Sequence, residues 1–226
     1  MKNKTILLII ASLLFGFTAF SQSEGISFGI RAGGDFQTFN GKDMNNDKLE
    51  LKMVPRFNAG VIVNIPFAPE FCIQSGLLFS TKGAKSADKF LGIDMSAEYN
   101  ISYIELPINL LYKAQLGSGN IMLGFGPYLA YGVTGKAKYT ISSVSSEDKI
   151  VFAKEYSSLN ASTWNTFNPF DYGGNILFGY ELNNGISFQL NTQLGLAKIN
   201  AENTTFTNEK TTFRNTGFGL SVGYMF

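Results

Sequence analysis

At 226 residues, with 18 basic against 17 acidic side chains, the chain is near neutral and gives no electrostatic footing for nucleic acid. It has no histidine and a single cysteine, which excludes Ser-His-Asp and Cys-His nucleophile arrangements, His-ligated metal sites and an internal disulfide. Glycine (24 residues), phenylalanine (21) and tyrosine (10) form no low-complexity tract; they interleave, as in Gly124-Phe125-Gly126, Gly179-Tyr180 and Gly217-Phe218-Gly219.

At the N-terminus, Lys2 and Lys4 precede an apolar run over residues 6–20 that ends in Ala19-Phe20-Ser21. That pattern reads as a secretory signal peptide, residues 1–21, cleaved before Gln22. The run is shorter than the roughly 20 residues a membrane helix needs. Residues 22–226 are then one domain, with 16 basic and 17 acidic groups.

Past this segment no apolar stretch is long enough for a spanning helix, so any crossing must be made by strands. Ile26, Phe28, Ile30, Ala32 and Phe36 alternate with Ser27, Gly29, Arg31, Gly33 and Asp35, a period of two. The same alternation returns over 56–65, 71–80, 104–113, 121–132, 172–181, 186–196 and 217–226, making eight segments near the 9 to 11 residues of a tilted transmembrane strand. A soluble sandwich also alternates; the connections separate the two. Long polar stretches at 37–53, 82–99, 134–170 and 199–213 take turns with short ones at 66–70, 115–119 and Asn183-Asn184-Gly185. Long and short in strict succession indicate an all-β, eight-stranded antiparallel transmembrane β-barrel, an up-and-down meander with long extracellular loops and short periplasmic turns. Closure is obligatory, since an open edge leaves unpaired backbone groups in hydrocarbon.

Arg31, Asp35, Arg56, Glu105 and Glu181 all fall on the polar face, as they must, because a charge facing lipid near the midplane costs about 2 to 4 kcal/mol. Two readings stay open: an internal network joining Arg31 or Arg56 to Glu105, or separate solvated side chains near the rims. Cys72 reads as a small interior residue. Pro107 and Pro127 lie inside strands, and a local bulge is expected at each.

The stretches Tyr103-Ile104-Glu105-Leu106-Pro107-Ile108-Asn109-Leu110, Gly124-Phe125-Gly126-Pro127-Tyr128-Leu129-Ala130-Tyr131-Gly132 and the ending Gly217-Phe218-Gly219-Leu220-Ser221-Val222-Gly223-Tyr224-Met225-Phe226 resemble the porin-like outer-membrane β-barrel family that includes the PorT proteins. The resemblance covers essentially all of the chain after the signal segment. It implies an outer-membrane location and an accessory role in protein secretion, while being nearly silent about chemistry. Phe226, with Tyr224 and Val222 on one face, resembles the aromatic-ended last strand that the barrel-assembly machinery recognises; an ordinary half-buried strand is the other reading.

Eight strands leave an interior just wide enough to be filled by side chains. Here Leu78, Gln74, Tyr128, Gln189, Gln193 and two arginines fill it, so a general diffusion pore is not expected. Three functions follow: a structural or interaction barrel whose outer loops meet a partner, a PorT-like secretion accessory, and a barrel enzyme acting on lipid or peptide. The missing histidine base counts against the enzyme, and no catalytic, cofactor or metal residue is assigned. In the long stretch at 134–170, Trp164, Phe167 and Phe170 are either a contact site or a lipid-facing girdle. Their lead into the sixth strand favours the girdle. Asp43-Met44-Asn45-Asn46-Asp47 reads as a solvated loop, because the ligand spacing and bidentate glutamate of a calcium site are absent. Expected partners are outer-membrane lipid, the assembly machinery during biogenesis, and a secretion-system or surface partner.

Overall fold

The computed structural model describes residues 25–43, 46–90, 93–157, 159, 165–205 and 211–226. The segment read as a signal peptide lies outside these residues, as do Met44, Asn45 and Trp164.

Eight long strands close into one ring: Ser27–Lys42, Val54–Ala68, Phe71–Phe90, Ile93–Leu116, Gly119–Ile141, Phe170–Leu182, Ile186–Gly195 and Thr212–Met225. Each pairs antiparallel with its successor, and the eighth pairs with the first from Gly29↔Met225 to Lys42↔Thr212. The up-and-down meander is therefore complete and leaves no free edge within the ring. Tight turns at one end follow the second, fourth and sixth strands. Gly117 (φ 62°) and Gly185 (φ 86°) occupy the left-handed conformation there, which an L side chain adopts only with strain.

Alternation sorts the side chains as the pleat requires. Outward-facing Ile30, Val61, Leu77, Leu106, Leu129, Ile176, Leu190 and Leu220 form an apolar belt. Aromatic pairs mark both of its rims. Phe36–Phe218, Phe57–Phe79 and Tyr131–Phe170 meet at 5.7, 5.9 and 5.2 Å on the loop side, and Phe71–Tyr112 and Tyr224–Phe226 at 5.1 and 5.4 Å on the turn side. Two such girdles bound the hydrocarbon layer of a transmembrane barrel.

The strands run well past that layer on the loop side. Most of the stretch expected as a loop at 82–99, and the start of 134–170, is strand: the third strand reaches Phe90, the fourth begins at Ile93 and the fifth ends at Ile141. Together with Val144–Lys149, which pairs with the fifth strand, they form a sheet that projects beyond the girdle. The polar composition that signals a loop reflects here an outer face in water, with Lys136, Lys138 and Asn100 exposed, over an inner face of Ala84, Tyr99 and Ala137.

The prolines do not bulge the strands. Pairing steps by three residues on both strands from Ser75↔Ile108 to Leu78↔Glu105, so register is held past Pro107, whose carbonyl accepts from the Ser75 hydroxyl at 2.9 Å. Pro127 sits in register opposite Gly174. The register shifts lie elsewhere, between Pro66 and Ala68 and between Ser102 and Tyr103, where Val133 of the fifth strand is skipped.

Candidate functional site

The candidate site is the barrel interior, filled in four tiers. At the turn end, Cys72, Leu111, Met122 and Leu177 form an apolar cluster, with Ile62, Leu78 and Met225 packed together in a second. The cysteine is the small interior residue its strand position predicts, and Glu181 meets Lys113 at this rim.

The middle tier is polar. Arg31 donates to Gln189 Oε1 at 3.3 Å, Asp35 accepts from Asn58 at 2.7 Å, and Gln74 donates to Asn64 at 3.0 Å. Arg31, Asp35 and Asn58 line a cavity of about 40 Å³ that also touches Glu105, Asn109 and Gln193. That volume holds no more than a few waters, which would meet the unpartnered oxygens of Gln37, Asn58 and Asn109.

Above it lies a buried ion-pair network. Lys82, with no exposed surface, places its ammonium 2.9 Å from Glu105 Oε2 and 3.0 Å from Asp171 Oδ2. Tyr128 donates to Asp171 at 3.2 Å, Asn215 donates to Asp171 at 2.9 Å, and Gln193 donates to Glu105 at 2.9 Å. The ammonium also stands 4.1 Å from the centre of the Tyr128 ring, within cation–π range. A buried cation held by two carboxylates, each with further donors, is the arrangement in which desolvation is offset.

Over this layer sits an apolar cap. Val151-Phe152 and Thr166-Phe167 pair in parallel inside the mouth. Phe167 packs 6.1 Å from Phe39 and 5.6 Å from Tyr99, with Ile101, Ile150, Ala197 and Ile199 buried around them. The chain is pinned in place by Asn168 N–H to Ile199 O (2.7 Å) and Gly132 N–H to Pro169 O (2.7 Å).

The residues singled out from sequence fall as follows. Arg31 and Glu105 line the same cavity, yet the partner of Glu105 is Lys82. Arg56 is not in the lumen network: its guanidinium reaches Glu98 at 3.2 Å and the Tyr99 carbonyl at 2.8 Å, bridging the gap where the second strand leaves the third. A Cβ on Gly83 would meet that Tyr99 oxygen at 1.9 Å, so only glycine lets the strands close beside Arg56. Phe167 is in the cap and not in the girdle, because it shares the inward phase of Asp171 and Gly173; Phe170, of the opposite phase, does face lipid against Tyr131. Val222, Tyr224 and Phe226 lie on the lipid face of the last strand. Asp43, Asn46 and Asp47 are taken up by hydrogen bonds within their own loop and to Lys42, and the described residues contain no group of three or more metal-ligating side chains. Lys82 and Asp171, the centre of the network, escape the sequence reading because Lys82 lies in a stretch read as loop and Asp171 falls between the loop reading that ends at 170 and the strand reading that begins at 172. The signal was there: Lys82 is two residues beyond inward Ser80, and Asp171 two before inward Gly173.

A closed ring with an apolar belt, paired girdles and a packed lumen defines a small transmembrane β-barrel. The chain belongs to the outer membrane protein beta-barrel domain family, whose profile matches residues 20–201. This is a small outer-membrane β-barrel protein. No curated protein matches the chain. Among solved structures, Neisserial surface protein A is 11% identical with a TM-score of 0.46, over 90% of this chain and 100% of that one. OprG from Pseudomonas aeruginosa is 15% identical (TM-score 0.44; 89% and 96%), and Ail of Yersinia pestis 11% identical (TM-score 0.38; 89% and 99%).

Proposed function

We propose that this protein is a sealed structural barrel of the outer membrane that acts through the surface it displays outside the cell. The observation that carries the reading is the double closure of the lumen, by the Lys82–Glu105–Asp171 layer and by the Phe167 cap above it. A solute path would have to break a buried ion-pair network and unpack an aromatic cluster. What remains for function is the projecting sheet of the third, fourth and fifth strands with the hairpin at 144–149, a surface standing beyond the girdle. No enzymatic step belongs to this reading, since the charged groups at its centre, Lys82, Glu105 and Asp171, are engaged with one another in the closing layer.

The PorT-like motifs support a narrower version, in which the displayed surface docks onto a secretion system. Photo-crosslinking from position 145 in the outer hairpin, in intact outer membranes, tests both. A discrete protein adduct at that position, absent from a probe at lipid-facing Leu220, is expected. Secretion components in that adduct support the narrower version, and another surface protein supports the broader one. Crosslinks to lipid alone at both positions would refute the reading.

A further inference from the structure

Lys52 and Lys85 face each other across a two-way backbone bridge, Lys52 N–H to Lys85 O at 2.8 Å and Lys85 N–H to Lys52 O at 3.2 Å. Directly opposed residues of an antiparallel pair share one face of the sheet, and like charges placed there repel. Neither ammonium has an ion-pair or hydrogen-bond partner among the described residues. The two lysines line a surface groove of about 490 Å³ with Ser96, Thr140 and Ser142, and the Thr140 hydroxyl shares a hydrogen bond with that of Ser145 at 2.9 Å. That size suits a small polar molecule. Asp94 also lines the groove and is itself engaged in an interaction, and Glu98, directly opposite Lys85 on the fourth strand, is bound by Arg56 at 3.2 Å.

Position narrows the ligand. Lys85, Ser96 and Thr140 have the opposite phase to Ala84, Tyr99 and Ala137, which pack into the cap. The groove therefore opens away from the barrel axis, over the surrounding membrane. Lys85 is six residues beyond Phe79 of the outer girdle, roughly 20 Å along the strand and about 15 Å above the girdle at the usual tilt. Phospholipid headgroups occupy only about 5 to 8 Å on each side of the hydrocarbon. A membrane lipid that reaches the groove must carry an extended polar head, and the opposed lysines call for an anion on it.

The geometry points to a binding site for the phosphorylated sugar headgroup of an outer-leaflet glycolipid, its phosphate between Lys52 and Lys85 and its hydroxyls on Ser96, Thr140 and Ser142. The site rests on the outer-membrane placement alone and is independent of any protein partner. The bound anion relieves the repulsion that the backbone bridge otherwise imposes.

The test uses the full barrel refolded in detergent and titrated with rough-type lipopolysaccharide carrying phosphorylated core sugars. The wild type and the Lys52→Gln/Lys85→Gln variant are compared, with Lys136→Gln/Lys138→Gln on the same sheet as control. Affinity is expected to fall about tenfold or more for each ammonium lost, while the control binds as wild type. Dephosphorylated lipopolysaccharide and inorganic phosphate alone should each bind wild type and variant equally weakly. In phospholipid vesicles without glycolipid the variant should unfold at the same temperature as wild type or higher, which also shows that it folds. Equal binding of lipopolysaccharide by wild type and variant, or equal losses in the control, would overturn the site. Inorganic phosphate binding as tightly as the glycolipid would overturn the sugar headgroup as its ligand.

Discussion

Replacing Lys82 by methionine removes the one cation between Glu105 and Asp171 while keeping nearly all of its volume. Both carboxylates stay buried, at 6% and 0% side-chain exposure. Breaking a buried pair by removing one partner costs about 3–5 kcal/mol, because an uncompensated charge is left behind. The loss of two bridges does not double this figure, since Asp171 keeps Tyr128 and Asn215 and Glu105 keeps Gln193 as donors. The folding equilibrium should therefore fall by about two to three and a half orders of magnitude. The measurement is urea unfolding in phospholipid vesicles, followed by fluorescence of the single tryptophan and by gel mobility before and after heating. A triple variant, Lys82→Met/Glu105→Gln/Asp171→Asn, discharges the layer and should recover most of the loss. A single variant within about 1 kcal/mol of wild type, or a triple no better than the single, refutes the claim that this layer is a dry, coupled network.

Other outcomes follow from the same structure. Phe167→Ala removes the ring at the centre of the cap and should cost about 3 kcal/mol, with new protease cleavage in the segment around residues 150–168, read by limited digestion of the folded barrel. Leu220→Arg puts a charge on the lipid face amid the belt and should cost about 2 to 4 kcal/mol in vesicle-based unfolding, whereas Ser221→Ala, facing the lumen, should cost under about half of that. Processing before Gln22 predicts that the intact mass of the outer-membrane form corresponds to residues 22–226; a mass that includes residues 1–21 would refute a cleaved signal.

Much of this barrel is written in a period of two. Where lipid meets one face and packed side chains the other, as from Ile30 to Phe36 or from Phe218 to Phe226, hydrophobicity tracks the pleat and the strands are legible. Above the girdle the solvent on the outer face is water, so both faces of the third to fifth strands carry polar or small residues and the same alternation carries little contrast. That is why the projecting sheet reads as loop, and why Lys82 is lost with it; Asp171 is missed because it falls just before the sixth strand as the alternation delimits it. Arg31 and Glu105 are legible as interior charges, yet their partners, Gln189 and Lys82, are not, because a barrel's cross-lumen neighbours depend on closure and stagger that a single strand does not encode. Phe167 shows the opposite case: its phase, shared with Asp171 and Gly173, points inward, but girdle aromatics and cap aromatics have the same composition and only phase tells them apart.

Conductance of the refolded barrel in planar lipid bilayers tests the sealed lumen most directly. Silence is expected from the wild type, and also from Phe167→Ala, in which the Lys82–Glu105–Asp171 layer still closes the interior. Stable ohmic openings of the wild-type barrel would contradict a lumen closed by that layer and by the cap above it.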